Sequence, residues 1–381
     1  MRIAIDALLL RDRFSGTEVY IYNLIKEIQR LDSQNTYFIF VNDKLKLDND
    51  LLAKDNFIFR VIRNTSQPLR RVLYEQTALT RELTRFKIDV FHSLDFILPL
   101  RCPVKSVITV HDLIFKICPE TILSYKRLYY NLFVRNSLNK ASKIIAVSKN
   151  TKQDLIRLFA IPEEKIKVIY HGLDICYRPL DKNLARSKIL EIYGLDGDFL
   201  LYAGRIESRK NLGRLIKAYC RIKKEDNIKH KLVIAGPPGR LNRDTLDLLR
   251  KPEFKSEIVF LGQAASEQLL YLYNASSLFI YPSLYEGFGL PVIEAMACRV
   301  PVITSDNSSL REIAGDSALL VDPYDIEKII GAIRILLKND YLRSNLIDRG
   351  LAKIREFSWE KAAQEAIFLY KEAAAQSDFR G

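Results

Sequence analysis

The chain is 381 residues long and 48% hydrophobic, which is enough apolar matter for a large core and suits two domains better than one. Its five cysteines (Cys102, Cys118, Cys176, Cys220, Cys298) are scattered without a Cys-x-x-Cys pair, which argues against a disulfide framework or a structural zinc site and for a reducing compartment. The net charge of +13 is concentrated early, with 29 Lys and Arg against 19 Asp and Glu in residues 1–178.

The opening Met1-Arg-Ile-Ala-Ile-Asp6 carries an acid within its apolar stretch and no small-residue cleavage site, so it reads as a first strand and not as a signal peptide. Ser15-Gly16-Thr17 then turns into a helix predicted over 17–31, whose N-terminus can meet an anion. Apolar runs at 38–41, 57–62, 90–91, 107–110, 144–147 and 168–170 alternate with helical patterns, among them 70–86 and 151–159, the latter capped by Ser148. Strands separated by helices imply parallel βαβ units and a doubly wound sheet.

Residues 101–150 hold nine basic and two acidic side chains, interleaved with aromatics in Tyr125-Lys-Arg-Leu-Tyr-Tyr-Asn-Leu-Phe133. Such a segment fits a solvated helix face, a surface resting on anionic lipid, or a nucleic-acid patch; no nucleic-acid module accompanies it, so nucleic acid ranks last.

The punctuated stretch 172–181 breaks this rhythm and is read as a linker. A second strand–helix series follows, with strands expected at 199–202, 232–234, 258–261, 278–281, 302–304 and 318–321 and helices dominating from 326 onward. No apolar run approaches the roughly 20 residues of a membrane span.

The centre of the second half is Tyr281-Pro-Ser-Leu-Tyr-Glu-Gly-Phe-Gly-Leu-Pro-Val-Ile-Glu294: a strand end, a glycine loop and a helix with proline in its first turn. The helix N-terminus makes a seat for an anion, and Gly287 and Gly289 allow close approach. Glu286 and Glu294 bracket the loop; carboxylates cannot bind phosphate but accept hydrogen bonds from hydroxyls. A ligand with both phosphate and polyol groups fits, and a nucleotide sugar is one. Arg205 and Lys210 follow the strand at 199–202, where open α/β sheets bind ligands, and could hold a diphosphate as it leaves. His111, with Asp112, follows the strand at 107–110 and can donate to a sugar hydroxyl or serve structure alone. His92, His171 and His230 have no comparable support. No Asp-x-Asp at a strand end and no His/Cys cluster occurs, so no metal site is expected.

Glu286-x7-Glu294 around a glycine loop, preceded by Gly204-Arg205 and Arg209-Lys210-Asn211, resembles the retaining glycosyltransferases of family 4, which have the GT-B fold. The likeness covers nearly the whole chain, from Ser15-Gly16 through Val110-His-Asp-Leu113 and Ala146-Val-Ser148 to Trp359, and is most like bacterial enzymes, often mannosyltransferases, that build cell-surface polysaccharides. It implies two Rossmann-like domains facing a cleft: residues 1–176 for the acceptor, 177–357 for the nucleotide sugar, and a helix at about 358–381 returning to the first. It further implies His111 near the reaction centre, Arg205 and Lys210 on the diphosphate, Glu286 on the transferred sugar, Glu294 on the ribose, and Gly287, Phe288, Gly289 and Leu290 lining the donor. The resemblance also implies Gly16 as a donor contact, but many relatives have two glycines where this chain has Ser15-Gly16, which leaves the loop open to the donor phosphate, the acceptor or neither. The donor implied is GDP-mannose with no metal, the acceptor a saccharide or lipid-linked saccharide, and the location cytoplasmic, at the inner face of the plasma membrane. The rival readings are a sugar-nucleotide epimerase and a nucleotide-sugar-binding protein without chemistry.

Overall fold

The computed structural model describes residues 1–11, 16–45, 54–237, 239 and 243–375. It divides into two compact units, Met1–Gly172 with Ser358–Gly381, and Leu173–Phe357. The division falls after Gly172, earlier than the expected position after Cys176. The cause is packing: Leu173 and Cys176 lie against the second core, and the Leu173 N–H donates to Phe357 O at 3.2 Å.

The first unit is built on a parallel sheet of β1 (Arg2–Asp6), β2 (Thr36–Asn42), β3 (Phe57–Ile62), β4 (Val90–Ser93), β5 (Lys105–Val110), β6 (Lys143–Ala146) and β7 (Ile166–Val168), in the order β3-β2-β1-β4-β5-β6-β7. Its central strands are covered on both faces, which is why they read as unbroken apolar runs: Ile3, Ile5, Val90, Phe91, Val107 and Ile108 are fully buried. Strand order reverses between β1 and β4, the point where loops diverge and leave a crevice.

The second unit repeats the plan with β8 (Phe199–Ala203), β9 (Lys231–Ala235), β10 (Ile258–Gly262), β11 (Leu278–Tyr281), β12 (Val302–Ser305) and β13 (Leu319–Val321), ordered β10-β9-β8-β11-β12-β13. Here the reversal lies between β8 and β11, the two strands that precede the Arg205–Lys210 and Glu286 segments.

The helix Trp359–Ala375 belongs to the first unit. It buries Trp359, Ala363, Ala366, Leu369 and Tyr370, and small residues on this face let it lie close to the helix Gly16–Leu31. The Tyr370 hydroxyl meets Nδ1 of fully buried His92 at 2.7 Å, and Arg30 pairs with Glu360 at 2.8 Å. Gly172 is required where this helix begins, since a Cβ there would stand 2.1 Å from Trp359 N. No helix among the described residues is long and apolar enough to cross a membrane.

Candidate active site

β8 ends at Ala203, and the chain turns through a short 3-10 helix, Ser208–Lys210, into the helix Leu212–Asp226. Asn211 makes the turn possible by adopting a left-handed conformation (φ 61°), and its side-chain amide donates to Pro282 O at 3.0 Å and Pro323 O at 2.6 Å. The Leu284 N–H donates to Arg209 O at 2.7 Å. These bonds stitch the turn after β8 to the loop after β11, and the stitching delivers two cations to one carboxylate.

That carboxylate is Glu286. Its Oε1 accepts from Lys210 Nζ at 2.5 Å, Ser283 Oγ at 2.7 Å and Tyr281 OH at 2.9 Å, while Oε2 accepts from Arg209 Nη1 at 3.0 Å. Lys210 also donates to Tyr281 OH at 2.6 Å. Glu286 and Lys210 are each only 7% exposed. Burial alone would raise the Glu286 carboxyl, but the charges of Lys210 and Arg209, with the bonds from Lys210 and Ser283, override it and hold the group at about 2. Burial and the like charge of Arg209 bring Lys210 down to about 8 against the pull of Glu286. Both are therefore ionised at neutral pH.

Gly287, Phe288, Gly289 and Leu290 are all buried, and the last of them opens the helix Leu290–Ala297, with Pro291 in its first turn. Gly289 has φ 117°, and a Cβ there would stand 2.7 Å from Leu310 Cδ2, so glycine is demanded twice over. Ser309 Oγ lies within donating distance of Glu286 O (2.9 Å) and Phe288 O (2.7 Å), fixing the loop from the side. Glu294, partly buried on that helix, has a separate set of partners. Tyr273 OH donates to its Oε2 at 2.9 Å, and burial, helped by Asp174 and opposed by the Tyr273 bond, raises its carboxyl to about 7.

Arg205 does not join the Lys210–Glu286 set. It is exposed, with a loose pair to Glu207 at 3.5 Å. Arg209, Tyr281 and Ser283 also contact Glu286, and none of them is among the residues the sequence points to as site residues. Arg209 directly precedes Lys210 in Arg209-Lys210-Asn211, and Tyr281 and Ser283 stand two apart on the way to Glu286, a spacing that in extended chain puts both side chains on the same side.

In the first unit His111 follows β5. Its Nε2 donates to Leu94 O at 3.0 Å, since a carbonyl can only accept, and the ring meets Tyr20 edge-on at 4.8 Å. Burial lowers its pKa against the pull of Asp95, so the neutral ring presents Nδ1 as a lone-pair acceptor. Gly16 opens the helix Gly16–Leu31 and is exposed; Ser15 lies outside the described residues.

Two doubly wound sheets, one with paired cations and a carboxylate beneath a glycine loop at its switch point, are the architecture of a GT-B glycosyltransferase. Residues 14–176 match the profile described as Glycosyltransferase Family 4, and residues 187–353 that described as Glycosyl transferases group 1. The O-antigen chain mannosyltransferase B of Escherichia coli is 34% identical over 290 residues, 76% of this chain and 76% of that protein. The chain belongs to the group 1 glycosyltransferases of family 4. Sucrose-phosphate synthase from Thermosynechococcus elongatus shares its fold with a TM-score of 0.77 at 21% identity, covering 99% of this chain and 100% of that one. WaaG, a glycosyltransferase involved in lipopolysaccharide biosynthesis, does so with a TM-score of 0.77 at 15% identity, covering 97% and 99%.

Proposed function

We propose that the chain transfers mannose from a nucleotide sugar, GDP-mannose, to a saccharide or lipid-linked saccharide during cell-surface polysaccharide synthesis, retaining the anomeric configuration and using no metal. The observation that carries this is the buried Lys210–Glu286–Arg209 set beside a glycine loop and helix N-terminus at the switch point of the second sheet. Mannose is favoured because the E. coli relative is an O-antigen chain mannosyltransferase. Transfer to an acceptor, with family membership behind it, stands ahead of epimerisation or mere binding.

In this reading Lys210 and exposed Arg205 meet the diphosphate, Glu294 accepts from the ribose hydroxyls, and the loop from Gly287 to Leu290 lines the donor. Glu286 orients the cations and offers its less crowded Oε2 to a sugar hydroxyl; His111 accepts from another through Nδ1. The acceptor oxygen bonds to the anomeric carbon as the bond from that carbon to the diphosphate oxygen breaks, and the acceptor's proton passes to the departing oxygen. Fixed positive charge then stabilises the leaving group without reorganisation. Incubation with GDP-mannose and an oligosaccharide acceptor should give an α-linked mannoside by NMR, at a rate unaltered by EDTA. A β-linkage would refute retention, and activity abolished by EDTA and restored by magnesium or manganese would refute metal independence.

The same reading includes peripheral contact with the anionic cytoplasmic face of the membrane. The helix Ser124–Lys140 contains no acidic residue, and Tyr125, Leu128 and Leu132, spaced to share one face, are each more than 60% exposed, beside exposed Arg127 and Arg135. Co-sedimentation with phosphatidylglycerol vesicles at low salt should exceed that with phosphatidylcholine vesicles and weaken as salt rises; equal pelleting would remove the support.

A further inference from the structure

Tyr281 ends β11 in register with Thr304 of β12, and the Thr304 hydroxyl donates to its carbonyl at 2.9 Å. Tyr281 is only 1% exposed, and its ring stacks against Phe279, two residues back on the same face of the strand, and against Tyr202 of the neighbouring β8, with centroids 5.9 Å apart in each case. Tyr202 in turn donates to Arg205 O at 3.2 Å. Gly204 lies beside the pair, where a Cβ would stand 3.3 Å from Tyr281 Cε2 and 3.4 Å from Tyr202 OH. Backbone pairing, two aromatic neighbours and the turn after β8 therefore hold this ring in one place.

The fixed ring sets a hydroxyl between opposite charges. That hydroxyl donates its one hydrogen to Glu286 Oε1 at 2.9 Å and accepts from Lys210 Nζ at 2.6 Å, so it serves as donor and acceptor at once. Nζ donates a second hydrogen to the same Oε1 at 2.5 Å, which closes a triangle of ammonium, phenol and carboxylate. A lysine ammonium sits on a flexible stem and can turn about any single bond it makes. Glu286 alone would leave it that freedom; the bond to Tyr281 removes it. Because the three hydrogens of an ammonium are tetrahedrally disposed, fixing two fixes the third, and among the described residues no protein acceptor takes that one.

We propose that Tyr281 is a positioning residue of the donor site, holding the Lys210 ammonium so that its remaining N–H is left for a diphosphate oxygen of the nucleotide. The proposal rests on the reading of Lys210 as a diphosphate contact and deepens it, because it gives a share in donor binding to a buried tyrosine that itself touches no substrate. The charge on Lys210 depends on the same bond. Burial and Arg209 bring Lys210 down to about 8, opposed by Glu286 and then by Glu207. The phenols of Tyr281 and of Tyr202 behind it are raised well above their ordinary value by burial and stay neutral. An acceptor on an ammonium hydrogen favours the charged form, so deleting the Tyr281 hydroxyl lowers Lys210 further.

The test titrates GDP onto the full chain by calorimetry from about pH 7 to about pH 9. Wild type should lose affinity as pH rises through the Lys210 value, since the neutral amine offers the phosphate no charge. Lys210→Arg, charged throughout this range, should remove that alkaline limb. Tyr281→Phe, which deletes the hydroxyl and keeps the ring, should move the limb down by about half to one pH unit and weaken GDP about two- to sixfold at about pH 8, where the protonated fraction falls. Ser283→Ala removes a hydroxyl from the same Oε1 without touching Lys210, so it should not move the limb down. Should Tyr281→Phe fail to fold by thermal melt, a ring-fluorinated tyrosine in place of Tyr281 keeps the hydroxyl, weakens it as an acceptor, and should move the limb the same way. A limb unmoved in the folded Tyr281 variant, or moved equally by Ser283→Ala, would overturn the proposal alone. A wild type without the limb, or a limb that survives Lys210→Arg, would overturn the reading of Lys210 as a diphosphate contact and the proposal with it.

Discussion

At the scale of single residues, Lys210 and Arg205 carry the same charge in opposite circumstances. Lys210 is buried against Glu286, so Lys210→Ala leaves a desolvated carboxylate with Arg209 as its remaining counter-ion; about 3–5 kcal/mol of stability should go with it. It should also cost on the order of 10²–10³ in kcat, the usual consequence of removing one preorganised electrostatic contact to a developing charge. Arg205→Ala removes an exposed side chain and should lower kcat with no change in melting temperature. Steady-state kinetics with thermal melts checks both; an Arg205 variant with normal kcat would leave that residue outside catalysis. Glu294 makes a pH prediction. Its folded-state carboxyl is raised from 4.5 to about 7, so the folded protein binds this proton more tightly than the unfolded chain, and the group's contribution to stability is lost as pH rises from about 4.5 through 7. Ribose hydroxyls bind its ionised form best, so donor KM should fall as pH rises through about 7, and Glu294→Gln should flatten that dependence. Glu286 has the opposite sign: its contribution is present above 4.5 and is lost as pH falls toward about 2.

At the scale of elements, the glycine loop is held by its neighbours and by its own geometry. Gly289→Ala forces a side chain into φ 117° and against Leu310, which should cost about 1–3 kcal/mol and weaken GDP binding, read by thermal melt and titration. Unchanged GDP affinity in a folded variant would mean that the loop's conformation does not shape the donor seat. This loop was legible in the sequence because turn residues and a first-turn proline are local signals. The Lys210–Glu286 contact was not, because the partners stand 76 residues apart and meet only through the adjacency of β8 and β11. Some local signals also misled. The single helix expected over 70–86 is two, Pro68–Gln76 and Ala78–Arg85, broken at Thr77, whose hydroxyl donates back to Leu73 O at 2.6 Å. β7 occupies Ile166–Val168 and not 168–170, because its pairing with Ile144 to Ala146 sets the register. The helix Lys182–Tyr193 has only a weak signal in the sequence: it buries only Ala185 and Ile189 while exposing Leu184, Leu190 and Ile192, so its apolar periodicity is poor, and its N-cap Asp181 is the one local sign of it.

At the scale of the whole molecule, each unit closes its own core, and this gives the two halves separate fates. The second core, from Tyr177 to Leu346, draws on none of the described residues after Phe357. The first unit depends on a helix that returns from the far end of the sequence, burying Trp359, Leu369 and Tyr370 and satisfying His92 through the Tyr370 hydroxyl. A chain ending at Phe357 therefore strips apolar cover from the first unit, and leaves His92 Nδ1 without its bond, while removing nothing from the core of the second. Removing several large buried side chains at about 1.5–3 kcal/mol each exceeds the margin by which most domains are stable, so the first unit should unfold. Tyr370→Phe, which keeps the packing and deletes one hydrogen bond, should cost about 1–3 kcal/mol, because a buried ring nitrogen loses its partner. In the truncated chain GDP should still bind and raise the melting temperature of the surviving transition by mass action, as it does in the intact protein. Calorimetry with and without GDP on the intact, Tyr370→Phe and truncated chains decides the matter. Loss of GDP binding on truncation would show that the second unit does not hold the nucleotide by itself, and a GDP-dependent shift of the first unit's transition alone would move the donor site to the other sheet.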